Sequence, residues 1–445
     1  MKQKDFEIKV LGKCSIESPL RLSHVKGDDI SNFTSDQERV LFDVIWKKKP
    51  AGKNGQTAEP LTMERAGPRS HIFFDPSKTT AAIVTCGGLC PGINNVIRSL
   101  VMTLTYRYGV KKIFGIQYGY QGFISKYGHP FAELTPDRVS NIHQFGGTIL
   151  GSSRGEQNIE QIVDCLERNN INILFTIGGD GTLHGALAIY QEIERRGLKI
   201  AVAGIPKTID NDINLIEKSF GFETSFSVAS PIIRDAHNEA KGAYNGISII
   251  KLMGRDSGFI AANAALSMPE VNLVLIPEMD FDLYGENGLI ETVRNRLDKS
   301  HHCVIVVAEG AGQYLFKEGD VQKDASGNIL HKDIGVLLKD KIIAHFQSID
   351  YPVTVKYIDP SYIIRSAPAT PSDSIFCNKL GIHVVHGAMA GKTCFVVGRR
   401  NNKFVYLPIE SVCKERKKID LEDDLWLNVL ETTGQPMSMK NPQKV

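Results

Sequence analysis

Three aspartates stand among residues suited to phosphate and metal chemistry. Asp180 lies in Ile177-Gly-Gly-Asp-Gly-Thr182, and Asp210 and Asp212 lie in Pro206-Lys-Thr-Ile-Asp-Asn-Asp212. Each segment follows an apolar, strand-like run, 171–176 and 200–205. Ligands of open α/β sheets bind beyond the carboxyl ends of strands. Glycines let a phosphate approach the backbone, and N–H groups at a helix start can receive its oxygens. One carboxylate there, Asp180, suits Mg²⁺. The same residues also read as an Asp/Gly turn with Asp180 near a helix cap. The spacing of Asp210 and Asp212 in extended backbone would point both carboxylates to one side. Two so close repel unless a cation intervenes or one keeps its proton. Lys207 and Thr208, just before them, can contact phosphate oxygens. An Asx-turn after a strand is the plain alternative.

The elements that must position these groups alternate from about residue 80. Thr80–Thr85 and Lys112–Ile116 read as strands, with the Gly87-Gly88 turn and a helix from Pro91 between them. Residues 158–168 carry Ile159, Ile162, Val163 and Leu166 at helical spacing. A strand over 171–176 and a helix from about Thr182 follow. A second series has buried-strand runs at Gly246–Leu252, 271–276 and 303–308. Such alternation predicts parallel sheets with crossover helices. The expected fold class is α/β: two Rossmann-like α/β domains with parallel-sheet cores facing a cleft, plus N- and C-terminal extensions.

The expected segments are an extension at 1–77, a nucleotide-binding domain at 78–221, a second domain at 222–400 and an extension at 401–445. Part of the 222–400 stretch is free to return to the first domain. The polar N-terminal stretch includes the basic run Lys47-Lys-Lys-Pro-Ala-Gly-Lys-Asn-Gly-Gln56, read as a solvated loop on a surface-wrapping extension.

The 445 residues exceed one ordinary core, and a net charge of +2 offers no basic field for nucleic acid or an anionic membrane. The start lacks an apolar signal region, and no apolar run is long enough to span a bilayer. The eight cysteines are scattered, and Cys86 and Cys90 lack a second ligand pair, so reduced thiols in a cytosol are expected. Gly387-Ala-Met-Ala-Gly-Lys-Thr393 is one residue short of a Walker A loop and follows no clear strand.

Taken with Thr85-Cys-Gly-Gly-Leu-Cys-Pro-Gly-Ile-Asn-Asn95, Gly146-Gly-Thr-Ile-Leu-Gly-Ser-Ser-Arg154, Lys251-Leu-Met-Gly-Arg-Asp-Ser-Gly258, Ala308-Glu-Gly310 and Tyr357-Ile-Asp-Pro-Ser-Tyr-Ile-Ile-Arg365, the two segments resemble the 6-phosphofructokinase family. The matches run in family order over about 80 to 400. They are most similar to the long, pyrophosphate-enzyme-like branch that also includes ATP-using trypanosome enzymes.

The resemblance implies phosphoryl transfer from MgATP to the 1-hydroxyl of fructose 6-phosphate. Gly87, Arg154, Gly155 and Gly179-Asp180-Gly181-Thr182 would bind the nucleotide, with Asp180 on Mg²⁺, the implied cofactor. Asp210 would take the hydroxyl proton, with Thr208 and Arg255 as further catalytic groups. Lys207, Ile209, Asp212, Met253, Gly254, Glu309, Lys356, Tyr362, Ile363, Ile364 and Arg365 would complete the sugar-phosphate and transfer site. The implied partners are these two substrates and further copies of the chain, as homotetramer or homodimer. The implied setting is cytoplasmic, with no nucleic acid and no membrane.

Tyr362, Gly246 and Lys356 depart from the short bacterial enzymes, which carry His and two arginines there. The intersubunit part of the site is therefore expected to differ.

The donor turns on two positions. Pyrophosphate-using relatives carry Asp where Gly181 stands and Lys where Lys207 stands, and ATP-using bacterial enzymes carry Gly at both. A side chain at 181 would project towards the nucleotide, so Gly181 favours ATP. Lys207 keeps pyrophosphate-dependent transfer as the alternative. NAD and lipid kinases share Gly-Gly-Asp-Gly-Thr but are not expected to carry the later motifs. A non-catalytic subunit would have lost a catalytic carboxylate, and all three are present.

Overall fold

The longest apolar runs form strands buried along their length. Thr80–Thr85, Ile173–Gly178 and Ala201–Pro206 are buried at every residue, as expected of parallel strands covered on both faces. The computed structural model describes residues 1–45, 59–316 and 329–442; the basic run at 47–56 lies outside them. Two units can be distinguished.

Unit 1 comprises Met1–Thr208, Ile213–Phe220 and Pro371–Arg416. Its nine-stranded sheet has the order Arg39–Leu41, Thr62–Arg65, Lys403–Pro408, Phe395–Arg400, Ala201–Pro206, Ile173–Gly178, Thr80–Thr85, Lys112–Ile116, Ala132–Glu133. The run from Phe395–Arg400 to Lys112–Ile116 is parallel. Connections leave Thr80–Thr85 towards one edge and Ile173–Gly178 towards the other. The switch point of this sheet therefore lies beyond Thr85 and Gly178, where ligands of doubly wound sheets bind.

The N-terminal stretch adds Arg39–Leu41 and Thr62–Arg65 to the sheet as antiparallel strands, and Phe6 is fully buried. Residues 380–386 lie within the helix Pro371–Met389, so no strand precedes the Walker-like run.

Unit 2 comprises Ile209–Asp212, Gly221–Thr370 and Lys417–Val445. Its sheet is parallel, in the order Leu273–Leu275, His302–Ala308, Gly246–Leu252, Thr354–Ile358. Leu252 pairs with Ala308 and Ile250 with Ile358, so the segments after these strands emerge from one sheet edge. The helix Phe259–Ser267 is apolar nearly all round, and six of its residues are buried.

The units divide the chain at other places than the sequence-based segments do. Pro371–Arg416 returns to unit 1, and the C-terminal stretch is shared between the units. All eight cysteines are free thiols. No described helix is long and apolar enough to cross a membrane.

Candidate active site

In unit 1 the switch point gathers three glycine-containing segments. The Gly87-Gly88 turn follows Thr80–Thr85, with Gly87 at φ 84°, a conformation glycine adopts freely. Its N–H donates to the Ser153 carbonyl at 3.1 Å, which brings exposed Arg154 and partly buried Gly155 alongside. The Lys207 ammonium donates to the Gly88 carbonyl at 2.8 Å, and the Lys207 N–H donates to the Gly178 carbonyl at 2.9 Å. Buried Lys207 thus ties the turn at 87–88 to the loop at 178–182.

The helix Asp180–Arg195 starts in that loop, with Gly179 as its cap. An acidic residue in a first turn is favoured by the helix dipole. The Asp180 carboxylate is one-third exposed and meets Arg416 at 3.1 Å through Oδ2 and His184 Nδ1 at 3.3 Å through Oδ1. A Cβ at Gly178 would lie 2.0 Å from Thr182 Oγ1, whereas a Cβ at Gly181 meets nothing within 4 Å. The glycine at 178 is required by packing, and the space at 181 is open.

In unit 2 the sugar-phosphate candidates follow three adjacent strands. Arg255 adopts φ 49°, and its N–H donates to Glu309 Oε1 at 2.8 Å. A Cβ at Gly310 would fall 1.9 Å from the Arg255 carbonyl oxygen, so only glycine allows this approach. Glu309 therefore holds the Arg255 backbone in a conformation that costs a non-glycine residue energy.

Tyr362, Ile363 and Arg365 lie on the helix Ser361–Ser366. Asp359 Oδ1 accepts from the Ser361 N–H at 3.0 Å, and Asp359 Oδ2 meets the Lys251 ammonium at 3.0 Å. Lys251 also meets Asp333 at 2.8 Å. Burial works against its charge, but these hydrogen bonds outweigh it and hold the pKa above the usual lysine value. Lys251 and Asp359 thus anchor the start of the helix that carries Arg365.

Asp210 is buried in the same unit. Its carbonyl accepts from Ser257 Oγ at 3.2 Å, and the Asp212 carbonyl accepts from the Lys417 N–H at 2.8 Å. Burial first, then the Asp212 carboxylate, and more weakly Glu309 push the Asp210 carboxyl up to about 7, against Arg365 and Arg255. That places it near neutral pH, where a general base works best.

The sequence profile of the phosphofructokinase family matches residues 80–388. The chain belongs to the phosphofructokinase family. It is 49% identical over 443 residues to the ATP-dependent 6-phosphofructokinase of Borreliella burgdorferi, covering 98% of each chain. It is 43% identical over 434 residues to the ATP-dependent 6-phosphofructokinase of Trypanosoma brucei brucei, covering 97% of this chain and 88% of that one. In fold it is similar to a pyrophosphate-dependent phosphofructokinase from Nitrosospira multiformis, with TM-score 0.67 and 19% identity, over 83% of this chain and 94% of that one.

Within this phosphofructokinase, several expected site residues stand differently from the sequence-based reading. Residues 210–212 are not extended, because Asn211 sits at φ 56°; the hydrogen bonds from Ser257 and Lys417 hold a turn instead of a strand. The aspartates still act on each other electrostatically. Ile209, Met253 and Ile364 are 2%, 1% and 0% exposed. Their side chains belong to the core, so only their backbone is suited to meet a ligand. Tyr362 is 88% exposed. Lys356 is half exposed and ion-paired with Glu239, and it is not among the charges that act most strongly on Asp210.

Sequence reasoning missed Asp359, whose Asp-Pro-Ser spacing is a turn signal. It also missed Arg416, for which separation by 236 residues from Asp180 left no local signal.

The raised pKa of Asp210 has a stability consequence. The native state keeps a proton that the unfolded chain releases from about pH 4 upward, so stability is lost as pH rises to about 7. Thermal unfolding without ligands should find Asp210→Asn more stable than the parent near pH 8, with the gain shrinking towards about pH 4. A difference independent of pH would show that Asp210 carries no such shift.

Proposed function

We propose that this protein transfers the γ-phosphoryl group of MgATP to the 1-hydroxyl of fructose 6-phosphate, giving fructose 1,6-bisphosphate and ADP. The observation that carries this reading is the Asp210 carboxyl, buried among Asp212, Glu309, Arg255 and Arg365. It occurs in a chain whose relatives, 43–49% identical over nearly their whole length, are ATP-dependent 6-phosphofructokinases.

Asp210 accepts the proton of the attacking hydroxyl. Its carboxyl near 7 is ionised often enough to act and basic enough to hold the proton. Arg255 and Arg365 grip the sugar phosphate through charge-assisted hydrogen bonds. Glu309 positions Arg255 through its backbone, and Lys251 with Asp359 positions Arg365 through its helix. Asp212 raises the basicity of Asp210 by like-charge repulsion.

Unit 1 supplies the nucleotide contacts. The Gly87 turn, Arg154, Gly155 and the start of the helix at Asp180 receive phosphate oxygens. The Asp180 carboxylate suits Mg²⁺, since the Arg416 guanidinium at 3.1 Å already shows it engaging a cation. Mg²⁺ bound there supplies charge neutralisation on the nucleotide phosphates. Thr208 and Lys207 contribute to holding the transferred group.

Open space at Gly181 supports ATP as donor. A carboxylate there would add negative charge beside the phosphates, and such like-charge contact costs several kcal/mol. The decisive experiment is a coupled assay with fructose 6-phosphate, offering ATP and pyrophosphate separately. Activity with ATP is expected, and activity with pyrophosphate alone would overturn the donor assignment.

Two variants sharpen the reading. Gly181→Asp should fold, because a Cβ at this position meets nothing within 4 Å, and should lose ~10²-fold or more of ATP-dependent kcat/KM. Retention of parental activity would remove position 181 from donor choice. Asp210→Asn should lose about 10²–10⁴-fold in kcat, with fructose 6-phosphate binding largely kept. An unchanged kcat would remove Asp210 from the role of base.

A further inference from the structure

One cluster of metal-ligating side chains joins Asp180 to two residues, His184 and Cys413, that the proposed reaction does not use. Asp180, His184 and Cys413 each offer a donor atom, and the three atoms lie within 4.8 Å of one another. Asp180 and His184 are one turn apart on the helix Asp180–Arg195, a spacing that aims two ligands from one face. Cys413 follows the short helix Ile409–Val412, which packs on that helix. The carboxylate is divided: Oδ2 faces Arg416 at 3.1 Å and Oδ1 faces His184 Nδ1 at 3.3 Å. His184 is exposed and Cys413 half-buried, so an ion can enter from solvent.

The donor set is one thiol, one imidazole and one carboxylate. Hard Mg²⁺ binds oxygen and disfavours sulfur, whereas zinc-class ions take all three types. Donor atoms around tetrahedral zinc lie roughly 3.3–3.8 Å apart, so closing this cluster needs about 1 Å of side-chain adjustment. His184 Nδ1 lies 3.0 Å from the Asp180 carbonyl oxygen. The carbonyl oxygen only accepts, so Nδ1–H donates to it and the lone pair open to an ion is on Nε2.

We infer that Asp180, His184 and Cys413 form a site for a zinc-class divalent ion, and that its occupation competes with MgATP because it engages Asp180. The competition rests on the proposed function; the binding does not. On binding, the Cys413 S–H bond breaks, a sulfur–metal bond forms and the proton passes to solvent. The imidazole lone pair and the carboxylate oxygen complete three positions, and water takes the fourth. No oxidation is involved.

The test uses the full chain under reducing conditions. Co²⁺ serves as the spectroscopic probe, because thiolate ligation produces a charge-transfer band that oxygen and nitrogen ligands do not. The parent should show the band at one equivalent, Cys413→Ser should lose it, and His184→Ala should weaken binding by about 10-fold or more. An undiminished band in Cys413→Ser would place the ion on other thiols and overturn the site. Absence of a band in the parent would do the same.

In the second arm, Zn²⁺ should inhibit ATP-dependent turnover competitively with MgATP, reversibly by chelator, and Cys413→Ser should be resistant. A band without such competition would overturn the overlap with the nucleotide while leaving the metal site standing. Absence of turnover in the zinc-free parent supplied with MgATP and fructose 6-phosphate would instead count against the proposed function.

Discussion

The constraint on which the proposed chemistry rests is one carboxylate kept out of water. Asp210 is buried in unit 2, and burial acts on it more strongly than any neighbouring charge. Two arginines oppose the upward shift and two carboxylates reinforce it. The outcome decides the role of the residue. Had the arginines prevailed, Asp210 would be a permanently ionised, weakly basic group. Because desolvation prevails, its carboxyl is raised to about 7, which suits the role of base proposed for it.

Much of unit 2 serves that arrangement through backbone placement. Asn211 and Arg255 both occupy the left-handed region, and hydrogen bonds hold the backbone at each. Ser257 fixes the Asp210 carbonyl, Lys417 the Asp212 carbonyl, and Glu309 the Arg255 N–H. Left-handed conformations of non-glycine residues cost energy and cluster at functional sites. Gly310 shows the complementary constraint, since any side chain there would collide with the Arg255 carbonyl. In unit 1 the equivalent task falls to glycines and to one buried lysine. Lys207 bridges the turn at 87–88 and the loop at 178–182, which gives it a structural duty whichever phosphate donor is bound.

The parallel strands were legible because short apolar runs of strand length are followed within three residues by glycine, as at Gly87, Gly119 and Gly254. Thr80–Thr85, Lys112–Ile116 and Gly246–Leu252 stand where the pattern predicts them. Strand ends shifted by one or two residues elsewhere, as at Ile173–Gly178. The candidate-site segments were legible as motifs, but their geometry was not. A two-residue spacing suggests shared orientation only if the backbone is extended, and tertiary hydrogen bonds bend it at Asn211. Ile364 follows a similar logic: the motif that names it says nothing about which face of its helix is buried. Ion pairs such as Arg416 with Asp180 join residues distant in sequence, and the return of Pro371–Arg416 to unit 1 is likewise a product of three-dimensional contact.

The most direct test is a titration of the Asp210 carboxyl by carbon-13 NMR in protein labelled at aspartate, with Asp210→Asn identifying the resonance. A midpoint of about 7 is expected in the ligand-free enzyme. A midpoint near about 4, the value of an ordinary aspartate, would contradict it.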